Sequence, residues 1–229
     1  MIKKVHVIIP AYNEEKSIGK VIKDIPKHLV TEIIVVNNNS TDGTDSEAAK
    51  HKVTVLKETF QGYGAACLKG IHYLENSKQV PKIIVFMDAD YSDYPQEMGM
   101  IIQPILDNKA DMVIGSRALG NKENGSMTTP QIFGNWLATR LLKIFYKVHF
   151  TDLGPFRAIR WESLLELDMK DKTYGWTVEM QLKAAKKKLL TTEIPVNYRV
   201  RIGTSKVSGT IKGTIMAGYK ILYTIFRYI

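Results

Sequence analysis

Apolar runs of strand length recur through the first half of the chain, at 4–9, 32–36, 53–56, 82–87 and 112–115, and helix-like segments at 14–24, 44–51, 64–76 and 95–108 separate them. That alternation admits few folds. Strands alternating with helices close as a mainly parallel sheet with right-handed crossovers and helices packed on its faces, an α/β architecture. The same pattern says where a ligand goes, because in an open α/β sheet the carboxyl ends of the strands frame the binding crevice.

The polar residues at those ends are therefore the candidates for chemistry. The run Ile-Ile-Val-Phe-Met at 83–87 stops abruptly at Asp88-Ala89-Asp90, and Asp93 follows. Two carboxylates one residue apart suit Mg²⁺ or Mn²⁺, hard cations that commonly take one or two protein carboxylates and complete their shell with substrate phosphate oxygens. The competing reading is a solvated acidic turn, with Asp93 as N-terminal cap of the helix near Pro95. The first strand ends in Pro10-Ala11-Tyr12-Asn13-Glu14: proline stops the ladder, and an aromatic ring and a carboxylate fall where they can meet a base and a ribose. The second ends in the short hydrogen-bonding side chains of Asn37 to Thr44, which Asx turns and a helix cap also explain. Polar clusters after three neighbouring strands favour one pocket over three unrelated turns.

The second half has a different rhythm. A polar, glycine-containing stretch at 120–129 reads as a mobile loop, and Pro130 then opens a helix with Ile132, Phe133, Trp136, Leu137, Leu141, Leu142 and Phe145 at helical spacing. A short strand at 156–159, a helix at 176–187, a strand at 193–198 and a basic, apolar final helix follow. No linker or repeat interrupts the 229 residues, so the chain reads as one domain with a half at 1–117 that looks like a nucleotide-binding sheet, a half at 118–207 that looks like an acceptor-binding layer and an amphipathic helix at 208–229.

The formal net charge is +9, with much of the excess in the C-terminal third among apolar and aromatic residues. That distribution suits phosphorylated substrates and an anionic membrane surface better than a nucleic-acid duplex. The last segment is interrupted by Lys212, Lys220 and Arg227, so it should lie on a membrane or on the protein and not cross. Cys67 is the only cysteine, which excludes an intrachain disulfide and a cysteine zinc site. The N-terminus lacks a signal-peptide pattern, and the expected location is cytoplasmic, peripheral on the membrane face.

Other motifs are ruled out. Gly62-Tyr63-Gly64 follows a third strand and lacks the third glycine of a dinucleotide fingerprint, although a glycine pair opening a helix can still present N–H groups to an anion. There is no Gly-Lys-Ser phosphate loop, zinc-protease pair or Gly-x-Ser-x-Gly elbow. An Asp-x-Asp phosphotransferase stays possible on the acidic pair alone, but its nucleophile usually follows the first strand. A catalytically inactive nucleotide-binding module is the other alternative.

Pro10-Ala11-Tyr12-Asn13-Glu14, the Asn37–Thr44 turn, Asp88-Ala89-Asp90, Gly115-Ser116-Arg117 and Asp152-Leu153-Gly154-Pro155-Phe156-Arg157 come in the order found in the inverting family-2 glycosyltransferases. The chain resembles them over nearly its whole length. Within the family it is most similar to the dolichyl- or polyprenyl-phosphate sugar synthases, through Trp176-Thr177-Val178-Glu179-Met180 and Arg201-Ile202-Gly203-Thr204-Ser205-Lys206. The resemblance implies a GT-A (nucleotide-diphospho-sugar transferase) fold, a GDP- or UDP-hexose donor, and a polyprenyl phosphate or other lipid-linked acceptor. It implies that Asp88 and Asp90 hold Mg²⁺ or Mn²⁺, and that Pro10, Tyr12, Glu14, Asn37 and Asp42 line the base and ribose pocket, with Ala11, Asn39 and Ala89 in the same donor-binding motifs. Arg117, Arg201 and Lys206 would hold phosphate oxygens. The family more often has aspartate at Asn37, glutamine at Ser92 and lysine at Tyr63.

The acceptor decides the rest of the chemistry. A polyprenyl phosphate oxygen is already anionic and needs hardly any general base, whereas a saccharide or lipid hydroxyl must lose a proton to a carboxylate, for which Glu179 and Asp152 are the candidates. The expected catalytic set is Asp90, Glu179, Arg117 and Arg201.

Overall fold

The computed structural model describes residues 4–204 and 211–228. A seven-stranded sheet runs through it in the order β3-β2-β1-β4-β6-β5-β7, formed by β1 (Val5–Ala11), β2 (Glu32–Asn37), β3 (Thr54–Lys57), β4 (Ile83–Phe86), β5 (Met112–Ser116), β6 (Arg157–Arg160) and β7 (Thr191–Pro195). β6 alone runs against the others, antiparallel to both β4 and β5. The mainly parallel sheet read from the sequence is thus present, with one reversed strand in its middle.

The strands β1, β2, β4 and β5 are apolar on both sides because both faces are covered. Ile8, Ile34, Ile84, Phe86 and Ile114 pack with α3 (Tyr63–Glu75), α5 (Thr129–Tyr146), α6 (Trp161–Leu167) and α7 (Trp176–Lys186). Val7, Ile9, Val35, Val85 and Val113 pack with α1 (Ile18–Asp24) and α4 (Met98–Leu106). The register places Ile8 opposite both Ile34 and Phe86, so side chains of one parity on each strand share one core. The remaining helices are α2 (Thr44–Ala49) and α8 (Ile211–Arg227). Tyr146 of α5 donates to the Ile225 carbonyl at 2.8 Å, and Phe145 meets Phe226 edge-on at 5.6 Å between ring centres, so α8 lies against α5.

Several expectations shift. β1 does not stop at Pro10: it continues to Ala11, with Pro10 opposite Val36. The Ile8 carbonyl accepts from Met87 N and the Ala11 carbonyl from Asn38 N. Alternation therefore turns Pro10 toward the β4 side, past the end of that pairing, where no ladder bond needs its missing N–H. The helix expected from 14 begins at Ile18, after a turn in which the Glu14 carbonyl accepts from Ser17 N and Ile18 N. The last strand lies at Thr191–Pro195, earlier than expected, and α6 was not anticipated. The 120–129 stretch, read as mobile, is tied to the 198–200 segment: Glu123 N donates to the Tyr198 carbonyl at 2.9 Å and Val200 N to the Glu123 carboxylate at 2.8 Å. Thr128 caps α5 in a capping box with Gln131.

Candidate active site

A cleft of about 410 Å³ opens at the carboxyl ends of β1, β2 and β4, lined by Pro10, Ala11, Tyr12, Glu14, Asn38, Gln61, Gly62, Tyr63, Asp88, Ala89, Asp90, Thr173, Tyr174 and Arg201. The backbone bends hard here. Asn13, Asn39 and Tyr91 all have positive φ, at 55°, 63° and 67°. Asn tolerates that conformation, but a tyrosine there is strained and must be held. Arg199 holds it, its guanidinium 3.3 Å from the Tyr91 ring centre, with Nε donating to the Tyr91 carbonyl at 2.6 Å, while the Tyr91 hydroxyl donates to Asp24 at 2.7 Å.

The acidic loop is built around that turn. Asp90 Oδ1 accepts from both the backbone N–H (2.9 Å) and the hydroxyl (2.5 Å) of Ser92, which fixes the carboxylate's orientation. Asp93 caps no helix. Tyr94 precedes the short 3-10 turn at Pro95–Glu97, and Asp93 is buried with its carboxylate toward Asp88 N at 3.4 Å. Burial, then the neighbouring Asp90, pushes the Asp88 carboxyl up to about 7, and burial followed by Asp88 raises Asp93 well above the usual carboxylate range. Asp88 Oδ1 is sealed from solvent and has no hydrogen-bond partner among the described residues.

Arg201 comes to this loop from the far end of the chain. Arg199 N donates to the Ser92 carbonyl and Ile202 N to the Asp90 carbonyl. That pairing places the Arg201 guanidinium between Glu14, at 2.8 Å, and Asp90, at 3.1 Å. Its buried Nε has no partner among the described residues.

These elements are the structural counterpart of a sequence-level signature: a family model, Glycosyl transferase family 2, matches residues 6–167. The chain belongs to glycosyl transferase family 2. Over 226 residues this transferase is 31% identical to the undecaprenyl-phosphate mannosyltransferase of Micrococcus luteus, covering 92% of this chain and 90% of that one. It is 32% identical over 216 residues to an uncharacterized glycosyltransferase of Mycobacterium tuberculosis, covering 93% and 94% of the two chains. Its fold superimposes on the glucosyl-3-phosphoglycerate synthase of Mycobacterium tuberculosis, crystallised with Mn²⁺, uridine diphosphate and phosphoglyceric acid. The TM-score is 0.78 at 21% identity, covering 99% of this chain and 78% of that one. The fold is GT-A.

The structure gathers Pro10, Ala11, Tyr12, Glu14, Asp88, Ala89, Asp90 and Arg201 in one cleft, and places the other candidates elsewhere. Asn37 is the last residue of β2 and bonds through its amide to Asp45, while its carbonyl oxygen accepts from Ser40 N at 2.8 Å. Asn39 is exposed. Asp42 caps the turn into α2, accepting from Thr44 N at 3.0 Å and Glu15 N at 3.2 Å. Asn38 is the asparagine that reaches the cleft: its amide donates to the Phe60 carbonyl at 2.7 Å, and its Oδ1 accepts from Gly62 N at 2.7 Å. Its signal was its place as the first residue beyond the β2–β3 ladder.

Arg117 does not line the cleft. Its backbone N–H and guanidinium engage Asp152, though its charge still counters the raised pKa of Asp88 and Asp93. Glu179 is also absent from the lining. It is 1% exposed and ion-paired to Lys183 at 2.7 Å. Lys206 lies outside the described residues. The glycine pair does not offer its N–H groups to an anion: Gly62 N serves Asn38, and Gly64 N serves the Thr173 carbonyl at 3.3 Å. Gln61, Tyr63, Thr173 and Tyr174 were missed because none of the four carries a charge or a usual metal-ligating group.

Proposed function

We propose that this transferase moves a hexose from GDP- or UDP-hexose to the phosphate of a polyprenyl phosphate, at a membrane surface and with inversion at the anomeric carbon. The observation that carries the donor half is a pair of buried atoms in one cleft that find no hydrogen-bond partner among the described residues: an acceptor, Asp88 Oδ1, and a donor, Arg201 Nε. A divalent cation meets the first need and a phosphate oxygen the second, so a cation-bound diphosphate answers both.

Asp88 and Asp90 fit Mg²⁺ or Mn²⁺. Such ions commonly take one or two protein carboxylates and complete their shell with substrate phosphate oxygens. The bound ion would neutralise charge developing on the departing diphosphate. Arg201, ion-paired to Glu14 and Asp90, would add positive charge to the same rim and offset the carboxylates' repulsion of the donor. Tyr12 offers a ring to the base, and Glu14 and Asn38 offer polar atoms to base or ribose.

On the acceptor side, both carboxylates available as general bases are committed. Burial works against ionisation of Asp152, but the charge and N–H groups of Arg117 outweigh it and hold the carboxyl below its usual range. A carboxylate so stabilised is a weak proton acceptor. That supports an acceptor needing no base, namely an anionic phosphate oxygen. A second cavity of about 340 Å³ beside the Arg117–Asp152 pair is lined by Lys122, Arg140, Lys143 and His149 together with Met127, Ile132 and Trp136, a combination suited to an anionic head on an apolar tail.

No described helix is long and apolar enough to cross a membrane. Exposed Ile132, Phe133, Trp136, Ile144 and Phe145 of α5 and Ile215, Met216, Tyr219, Tyr223 and Phe226 of α8 support peripheral seating, and neither helix carries an acidic residue. In this reading residues 1–117 form the donor half, 118–207 the acceptor half and 208–229 the membrane helix, with Thr173, Tyr174 and Arg201 reaching back into the donor cleft.

The test is transfer of radiolabel from UDP-glucose and GDP-mannose, with Mn²⁺ or with EDTA, to polyprenyl phosphate and to the matching polyprenol. Metal-dependent label on the phosphate alone is expected. Label on the alcohol and none on the phosphate would overturn the acceptor assignment.

A further inference from the structure

Thr173 and Tyr174 stand on a loop between α6 and α7 that has no ladder or helix of its own to hold it. Its backbone is fastened from several sides. Ala65 N of α3 donates to the Lys172 carbonyl at 2.9 Å, and Asp171 accepts from Thr173 N at 2.7 Å and Gly175 N at 3.2 Å. Beneath it, the Glu179 carboxylate accepts from Lys170 N at 3.0 Å and from Asp171 N at 2.7 Å. The remaining partners of Glu179 are Lys183 and the hydroxyl of Tyr228, which donates at 2.9 Å from just beyond α8. A second tie runs from α8 itself, Lys220 Nζ to the Asp171 carboxylate at 3.0 Å.

A carboxylate that serves two backbone N–H groups, an ammonium and a phenol is engaged on both oxygens, and it does not line the donor cleft. Its energetic weight falls on the loop, because a buried N–H deprived of its acceptor is left desolvated. We infer that Glu179 is a positioning residue for donor binding, and that the Tyr228–Glu179 and Lys220–Asp171 contacts make the wall of the donor cleft respond to the seating of α8. The consequence for donor affinity rests on the nucleotide-sugar reading above, whereas the mechanical coupling does not. If α8 is drawn away, Asp171 and Glu179 each lose a partner, and the 170–175 backbone loosens at the cleft.

The experiment combines hydrogen exchange of the 170–175 amides in the ligand-free full chain with donor KM and kcat for UDP-glucose and GDP-mannose in Mn²⁺. Glu179→Ala is expected to speed exchange at Lys170 and Asp171 and to raise the KM of whichever donor the wild type uses about tenfold, the equivalent of losing one buried bond or two. Glu179→Gln keeps an amide oxygen for the two N–H groups and should recover most of both effects. Tyr228→Phe and Lys220→Met should move exchange and KM in the same direction by less. Melting curves show whether each variant is folded, and Tyr228→Phe with Lys220→Met carry the test if the alanine variant is not. Unchanged exchange in folded Glu179→Ala and in Tyr228→Phe overturns the inference, as does unchanged exchange in Tyr228→Phe and Lys220→Met where the alanine variant is unfolded. So does a kcat loss shared by Ala and Gln with donor KM unmoved, the signature of a general base. A wild type that binds neither nucleotide sugar while the variants still speed exchange upholds the coupling and refutes the donor reading instead.

Discussion

Arg117 and Asp152 form a two-pronged ion pair, with Nε donating to one carboxylate oxygen at 2.8 Å and Nη2 to the other at 2.7 Å, and the Arg117 backbone N–H adding a third bond at 2.7 Å. With Asp152 only 1% exposed, Arg117→Ala strands a buried charge and should destabilise the fold by about 3–5 kcal/mol. Arg117→Lys restores charge but not the fork, and should recover only part. Because the folded Asp152 carboxyl is held below its usual range, the pair stabilises above the unfolded carboxylate value of about 4 and is lost as pH falls through the lower folded value. Urea unfolding should therefore show the gap between wild type and Arg117→Ala narrowing in acid.

Arg201 faces Glu14 and Asp90 at once, so its removal affects both donor binding and the charge that develops on the leaving group. Arg201→Ala should lower kcat/KM by roughly 10²–10³, comparable to removing one preorganised donor from a developing anion. Arg201→Lys, a point charge without the fork, should lie between. Steady-state transfer from a nucleotide sugar reads both. Equal activity in all three proteins would remove Arg201 from the reaction.

The fold was legible because burial on both faces leaves its mark as apolar strand runs, and Ile83–Phe86 followed by Asp88-Ala89-Asp90 located the rim. What the pattern hid was whatever depends on contacts between distant segments. Asn37 and Asn38 differ by one position, yet only the second passes the ladder's end and enters the cleft. Arg117 and Arg201 look alike as cations in sequence. One spends its fork on Asp152, and the other is delivered to Asp90 by a backbone pairing with the acidic loop that no local periodicity records.

Cation binding should depend on pH. Burial and Asp90 raise the Asp88 carboxyl to about 7, above its unfolded value of about 4. The folded state therefore holds the proton more tightly, and this group's contribution to stability is full below about 4 and lost as pH climbs through 7. A ligating cation must displace that proton. Mn²⁺ affinity in the presence of nucleoside diphosphate should rise about tenfold per pH unit up to 7 and level off above. Calorimetry in buffers of different ionisation enthalpy should count about one proton released at pH 6. Asp88→Asn should flatten the profile.

The glycines of the molecule make contrasting predictions. A Cβ on Gly64 would sit 2.0 Å from the backbone oxygen of Asp171, so Gly64→Ala must push α3 and the 170–175 loop apart. A loss of about 1–3 kcal/mol is expected, with weaker nucleotide-sugar binding. Gly134, inside α5, has nothing within 4 Å of its would-be Cβ. Gly134→Ala should gain about 0.5–1 kcal/mol from helix propensity. Thermal melts of the two variants should move in opposite directions.

The α5–α8 face gives the last prediction. Phe133 and Trp136 are 59% and 56% exposed, with their rings tilted against each other at 5.8 Å between centres, while Tyr219 and Tyr223 stack at 6.1 Å on α8. Clustered exposed aromatics beside basic residues, on helices with no acidic side chain, match a surface that enters the interfacial layer of an anionic bilayer. Phe133→Glu with Trp136→Glu removes apolar contact and adds like charge against the lipid, so flotation with anionic vesicles should fall about tenfold or more. The fold should be unaffected, since neither side chain is in the core. High salt should weaken wild-type flotation without abolishing it, because screening removes the electrostatic part and leaves the apolar part. Wild-type chain that fails to float at either salt concentration would show that this face meets something other than a membrane.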